Sequence, residues 1–198
     1  MEKLNAYLPT DSIPLIKKWI GELDIAVKIK KSRNTKLGDF RVTKKREYLI
    51  SINNDLNEYA FLITLTHEIA HAFVWKKYKR KVCPHGAEWK NTLKKMMLNF
   101  LNSNIFPDDI LRALSKHIKN PKASTANDYN LSRILKNYDK NPKQTIDEIP
   151  DGSIFSTVNG KQFMKIEKLR KRYKCKEIVS EKIYLFNPLA IVNISHNN

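Results

Sequence analysis

Residues 65–75 read LTHEIAHAFVW, with two histidines four apart and a glutamate directly after the first. On a helix, positions i and i+4 stack on one face, so His67 and His71 can offer two imidazole nitrogens to one cation. Glu68 is turned by about 100° from His67. It cannot easily be a third ligand beside them, but it can reach a water molecule held at the metal. This is the H-E-x-x-H arrangement, two zinc ligands with a general base for hydrolysis. A catalytic zinc site uses three protein ligands and keeps a fourth position open, so the chain must supply one more. The candidates are His85, Cys83, Glu88, His117 and His196. His85 stands in CPHGAEW, where one helical pattern has ended and the next begins, and such a turn can fold back over the first helix. His117, on a polar-faced helix, and His196, near the last residue, read as solvated surface. Cys83 reads as a structural or merely apolar cysteine. The competing reading is a buried helix with incidental histidines. It is costly, because polar groups on an otherwise apolar helix must be paired or metal-bound.

The elements that would position these residues follow from periodicity. SIPLIKKWIG (12–21) predicts a short helix, with Ser12 as cap and Pro14 in the first turn. LDIAVKIKKS (23–32) alternates apolar and polar as a half-buried strand does. KLGDFRV and REYLISIN are two more strand-like runs around a basic turn, TKKR, so a small antiparallel sheet is expected before the histidine helix. That helix, within NNDLNEYAFLITLTHEIAHAFVWKKYKR, takes a cap from residues 53–55. It is apolar almost all round, as a buried helix is, and ends in cations at the negative end of its dipole. AEWKNTLKKMMLNFL and PDDILRALSKHIK predict two further helices.

Near residue 120 the composition becomes polar and turn-rich, which places a boundary there. A short helix, LSRILKNY, precedes a second polar stretch. The period then becomes 2: SIFSTV and KQFMKI flank Asn159-Gly160, a pair suited to a type I′ hairpin turn, and RKRYKCKEIV and EKIYLFN predict two more strands. Strand alternation would put Arg170, Arg172, Lys174 and Lys176 on one face, about 6.6–6.8 Å apart. That is about two 3.4 Å rises along a nucleic-acid strand, so such a stripe can follow its phosphates. The whole chain carries 37 Lys+Arg against 20 Asp+Glu, a formal charge of +17, which points to a polyanionic partner such as DNA. No apolar run reaches the roughly 20 residues that span a bilayer, so no membrane partner is expected. The N-terminus lacks the pattern of a signal peptide. With only Cys83 and Cys175, a disulfide framework is not expected, and a cytoplasmic location fits.

HEIAHAFVW, followed thirteen residues after His71 by HGAEW, resembles the SprT/Spartan-like zinc metallopeptidases, whose pattern is H-E-x-x-H-A with a third-ligand histidine in H-G-x-x-F/W. The resemblance covers about residues 10–120; DGSIF and NGKQFMKIEKLRKRYKC are more loosely similar to the tail of bacterial relatives. It implies an α+β fold. A small zincin-like domain, a short antiparallel sheet packed on the H-E-x-x-H helix and further helices, is followed by a small β-rich C-terminal module. The expected divisions are 1–122 for the metallopeptidase domain, 123–150 for a linker with a short helix, and 151–198 for the basic module. The resemblance also implies one zinc held by His67, His71 and His85, Glu68 as general base, and a protein or peptide substrate, with DNA-bound or DNA-crosslinked proteins as the targets of the Spartan branch. A monomer is expected. Many relatives carry a C-terminal zinc ribbon with paired cysteines. Here that region holds Cys175 alone, so a four-cysteine site cannot form within one chain. The alternative is a non-enzymatic nucleic-acid-binding protein with a structural zinc.

Overall fold

The computed structural model describes residues 2–33, 35–124 and 128–194. The chain divides into two compact units, residues 1–140 and 141–198. The described residues hold six α-helices and two sheets, a mixed α+β content.

In the first unit, strands β1 (Ile25–Lys30), β2 (Gly38–Val42) and β3 (Tyr48–Asn53) form a sheet in the order β1-β3-β2. The sheet is mixed rather than antiparallel as expected: β2 and β3 are an antiparallel hairpin, whereas β1 runs parallel to β3. The hairpin closes locally, with Thr43 N–H donating to Glu47 O at 2.9 Å. The segment between β1 and β2 must instead pass from one side of β3 to the other. The Arg33 guanidinium fastens this crossing, donating to Asn53 Oδ1 at 2.8 Å and Ser51 Oγ at 3.0 Å. Asn53 Nδ2 returns bonds to the carbonyls of Arg33 and Lys36. β3 is thereby central and buried along five of its six residues, as a strand covered on both faces must be.

The described residues of the first unit also form α1 (Glu2–Asn5), α2 (Ile13–Glu22), α3 (Glu58–Tyr78), α4 (Ala87–Leu98), α5 (Asp108–His117) and α6 (Tyr129–Lys136), with α3 and α2 against the sheet. Two cap expectations shift. The Ser12 hydroxyl donates backwards to Pro9 O at 2.6 Å and makes no cap bond. The cap of α3 is Asn57 rather than a residue of 53–55, because β3 pairs through Asn53 and the turn uses the next residues. Asn57 Oδ1 accepts from Ala60 N–H at 2.9 Å, while its Nδ2 donates to Leu135 O at 2.8 Å and Asp139 Oδ1 at 2.6 Å. As its composition requires, α3 is buried on nearly every side. The stretch expected as a linker behaves differently. In α6, Leu131 and Leu135 are buried in the same core as α3 and α5. Full burial of a leucine is worth about 1.5–3 kcal/mol, enough to hold this short helix in the first unit.

The second unit is β-rich. Strands β4 (Ile154–Ser156), β5 (Gln162–Lys168), β6 (Tyr173–Glu177), β7 (Ile183–Phe186) and β8 (Asn193–Ile194) form an antiparallel sheet in the order β7-β6-β5-β4-β8. Its core is Ile146, Ile149, Phe155, Phe163, Tyr173, Cys175 and Val192, so it begins before residue 151. The β4–β5 hairpin forms, but not with a type I′ turn. Gly160 has φ 80° and Asn159 is not left-handed, whereas type I′ needs positive φ at both central residues. Thr157 N–H reaches Lys161 O at 3.0 Å, closing a three-residue loop in which Gly160 takes the left-handed position. Among the described residues, two charged side chains of this unit are buried, Lys165 and Glu177. Lys165 Nζ donates to Ile149 O at 2.6 Å, pairs with Asp151 at 3.1 Å and sits 4.1 Å over the Tyr173 ring. A buried ammonium is tolerable only when satisfied in this way.

Candidate metal centre

His67 and His71 project from the middle of α3, and His85 comes from the turn between α3 and α4. The chain reverses there through two left-handed residues, Lys79 (φ 55°) and His85 (φ 60°), bringing the third imidazole over the helix. The three Nε2 atoms converge: His67 to His71 is 3.2 Å, His71 to His85 is 3.0 Å, and His85 to His67 is 3.3 Å. Neutral imidazoles cannot satisfy such a triangle, because each contact needs one proton and one lone pair directed at each other. A cation at its centre resolves the conflict. Tetrahedral zinc with Zn–N bonds of about 2.0–2.1 Å separates its ligand nitrogens by about 3.3 Å, close to the observed spacing.

The electrostatics agree with that donor set. Burial, then the neighbouring imidazoles, lowers the His67 pKa to about 3. Burial, then His85, lowers that of His71 to about 4, and burial lowers that of His85. All three rings are therefore unprotonated near neutrality, the form in which imidazole binds a metal. Trp89, fully buried in the first turn of α4, packs against all three. Its ring centre is 4.6 Å from His67, 5.2 Å from His71 and 4.6 Å from His85.

Glu68 lines the same cleft as the three histidines, with a volume of about 710 Å³, and is buried. Burial, assisted by Asp39, pushes its pKa up to about 8, although the Phe40 backbone N–H, Lys36 and Arg33 each favour the carboxylate. The Phe40 N–H comes from β2, one of the two edge strands of the sheet. β2 retains an open edge for backbone pairing, whereas β3 is paired on both sides. Gly38, also on β2, permits the close approach of strand and helix: a Cβ there would stand 2.8 Å from Glu68 Oε1.

The other proposed ligands separate. Among the described residues, the converging group is His67, His71 and His85. Cys83 is exposed and lines the cleft, and Glu88 lies in the first turn of α4. His117 is not solvated surface. It is buried, with Nδ1 2.8 Å from Asp128 Oδ2. His196 lies outside the described residues. The basic stripe is also altered. Lys174 and Lys176 do share the outward face of β6, opposite buried Tyr173 and Cys175. Arg170 and Arg172 instead belong to the turn before it, where Leu169 N–H bonds Arg172 O at 2.8 Å. Both lysines are ion-paired, to Glu167 and Glu181. Sequence reasoning missed the contacts of Trp89 and Gly38. HGAEW places an aromatic residue four positions after His85, and a glycine in a strand signals close approach; those were the available signals.

A paired helix histidine, a third histidine from the following turn and a buried glutamate in one cleft define this part of the molecule as a candidate metal centre. Residues 17–108 match the family model described as the SprT-like family, to which this segment is similar. Comparison with curated proteins and with solved structures gives no match.

Proposed function

We propose that the chain is a zinc-dependent endopeptidase with a zincin-like site in its first unit. The observation that carries this reading is the set of three Nε2 atoms 3.0–3.3 Å apart in a cleft shared with buried Glu68. The SprT-like family is associated with metallopeptidase function, which supports the same reading. His67, His71 and His85 hold the metal, and Trp89 packs their rings in place. Zinc, when bound, supplies Lewis acidity that makes water a nucleophile near neutral pH. Glu68 takes the proton from that water and delivers it to the departing amide nitrogen, so that one carboxyl group acts first as base and then as acid. A cation held beside it would draw the Glu68 pKa down from its raised value, because opposite charge favours the carboxylate. An extended substrate lies along the open edge of β2 by strand addition. A structural metal in a non-enzymatic binding protein leaves the burial of Glu68 in the same cleft unexplained.

Contact with DNA is a further part of this proposal, with DNA-bound or crosslinked proteins as substrates. The formal charge of +17 supports it, and the basic turn holding Arg170 and Arg172 is the preferred contact. The test is digestion of casein or histone by zinc-loaded protein, with and without single-stranded DNA. Cleavage should require metal, stop with chelator, and fall about 10²- to 10⁴-fold in Glu68→Gln, which cannot accept the proton. Wild-type rates in zinc-loaded Glu68→Gln would overturn the mechanism.

A further inference from the structure

The cleft has two walls, β2 on one side and the end of α3 with its following turn on the other. Five charged groups other than histidine line it: Asp39, Arg41, Glu68, Lys79 and Arg80. Glu68 is buried, and Asp39 is already bonded to Lys36 at 2.8 Å. Arg41, Lys79 and Arg80 are exposed, and among the described residues none of them has a carboxylate within ion-pair distance. Arg80 is held against the wall, its guanidinium 5.8 Å over the ring of Trp75, which itself lines the cleft. Cations beyond a helix end ordinarily complement its dipole. That account covers Lys76 and Lys77, which lie in the last turn of α3 and do not line the cleft. It does not cover Arg41, which stands on the opposite wall, on a strand.

Resting on the peptidase reading above, we propose that this cleft selects peptide segments bearing acidic side chains on either side of the cleaved bond, with Arg41 on one wall and Arg80 on the other as the residues that determine the preference. A guanidinium presents paired donors that match a carboxylate, and an extended segment along β2 would carry its side chains past both walls. Lysine at the same positions would meet like charge.

The test uses quenched-fluorescence peptides with one central sequence and Glu, Gln or Lys at the flanking positions. Zinc-loaded wild-type protein should show a kcat/KM for the Glu peptide about tenfold above that for the Lys peptide at low salt, attraction being exchanged for repulsion at both walls. The ratio should narrow at about 0.5 M salt, where screening shortens the interaction. In the double variant Arg41→Gln/Arg80→Gln it should approach one. Equal rates on the three peptides, a preference for Lys, or an unchanged ratio in the double variant would overturn the proposal. If no peptide is cleaved, the peptidase reading fails by itself, and selectivity is read from binding. Labelled Glu and Lys peptides are then titrated by anisotropy against zinc-loaded wild-type and double-variant protein. Tighter binding of the Glu peptide, lost in the double variant, sustains the acidic preference. Equal binding overturns it, as does a double variant that loses affinity for a single-stranded oligonucleotide while keeping its peptide affinities.

Discussion

A Cβ atom on Gly38 would stand 2.8 Å from Oε1 of Glu68 and equally close to Cγ2 of Thr64. The absence of a side chain on the strand thus sets where the glutamate on the helix can sit. Gly38→Ala should displace Glu68 without touching the histidines. Misplacement of a reacting group by about 1 Å can cost about 10²-fold in rate. We expect a loss of that order in peptide cleavage with full zinc content. Wild-type activity would mean that the carboxylate need not occupy its observed position.

His85→Ala should remove most of the zinc, leaving only the two α3 nitrogens to hold it. Metal analysis of the purified variant decides the point. Full occupancy would show that Cys83 or Glu88, both close by in the chain, supplies the third ligand instead.

The histidine pair was legible because i, i+4 geometry is local: once LTHEIAHAFVW is helical, His67 and His71 must meet. The partnership with His85 was legible through the turn signal between two helices. The rest depended on contacts distant in sequence. Alternation marked β1, β2 and β3 as strands, but it carries no strand order, so the parallel pairing of β1 with β3 and the crossing clamped by Arg33 were invisible. His117 looked like a surface residue because its partner, Asp128, lies beyond the end of its helix. The basic stripe was overextended because alternation was continued through Leu169–Arg172, which form a turn.

The pair His117–Asp128 links stability to pH. Burial raises the Asp128 pKa, but the His117 bond, the Leu131 N–H and the positive charges nearby outweigh it and leave the carboxyl below its ordinary value. A carboxyl depressed in the folded state adds stability above its unfolded pKa of about 3.9, and that contribution is lost as pH falls through the folded value. Asp128→Asn should therefore lower stability at neutral pH and flatten the acid limb of a denaturation series. An unaltered acid limb would show that the pair contributes nothing.

The two thiols should differ in reactivity. Cys83 is exposed, whereas Cys175 lies in the second core, and burial pushes its pKa up to about 11. A thiolate-directed reagent at neutral pH should modify one thiol in folded protein and two after denaturation. Rapid modification of both would contradict the packing of β6.

Nucleic-acid contact through the basic turn has a salt signature. Each phosphate contact contributes about 0.7 to the slope of log affinity against log salt on single strands. Arg170→Ser/Arg172→Ser should flatten the slope by about 1.4. Lys174 and Lys176, already paired with Glu167 and Glu181, should add little. An unchanged slope by fluorescence anisotropy removes the turn from the binding surface.

Asn57 caps the helix that bears the histidine pair, and its amide is held by the carbonyl of Leu135 and by Asp139. The family match stops at residue 108, and composition alone placed the boundary near 122, yet the helix start is secured from residues 135–139. A fragment ending at either earlier point would keep every residue of the cleft wall from Gly38 to Trp89 and still lose the clasp on α3. It would also open the socket that Leu131 and Leu135 fill, baring an apolar surface suited to self-association. The compact unit is thus longer than the stretch that carries the chemistry, and it runs to residue 140.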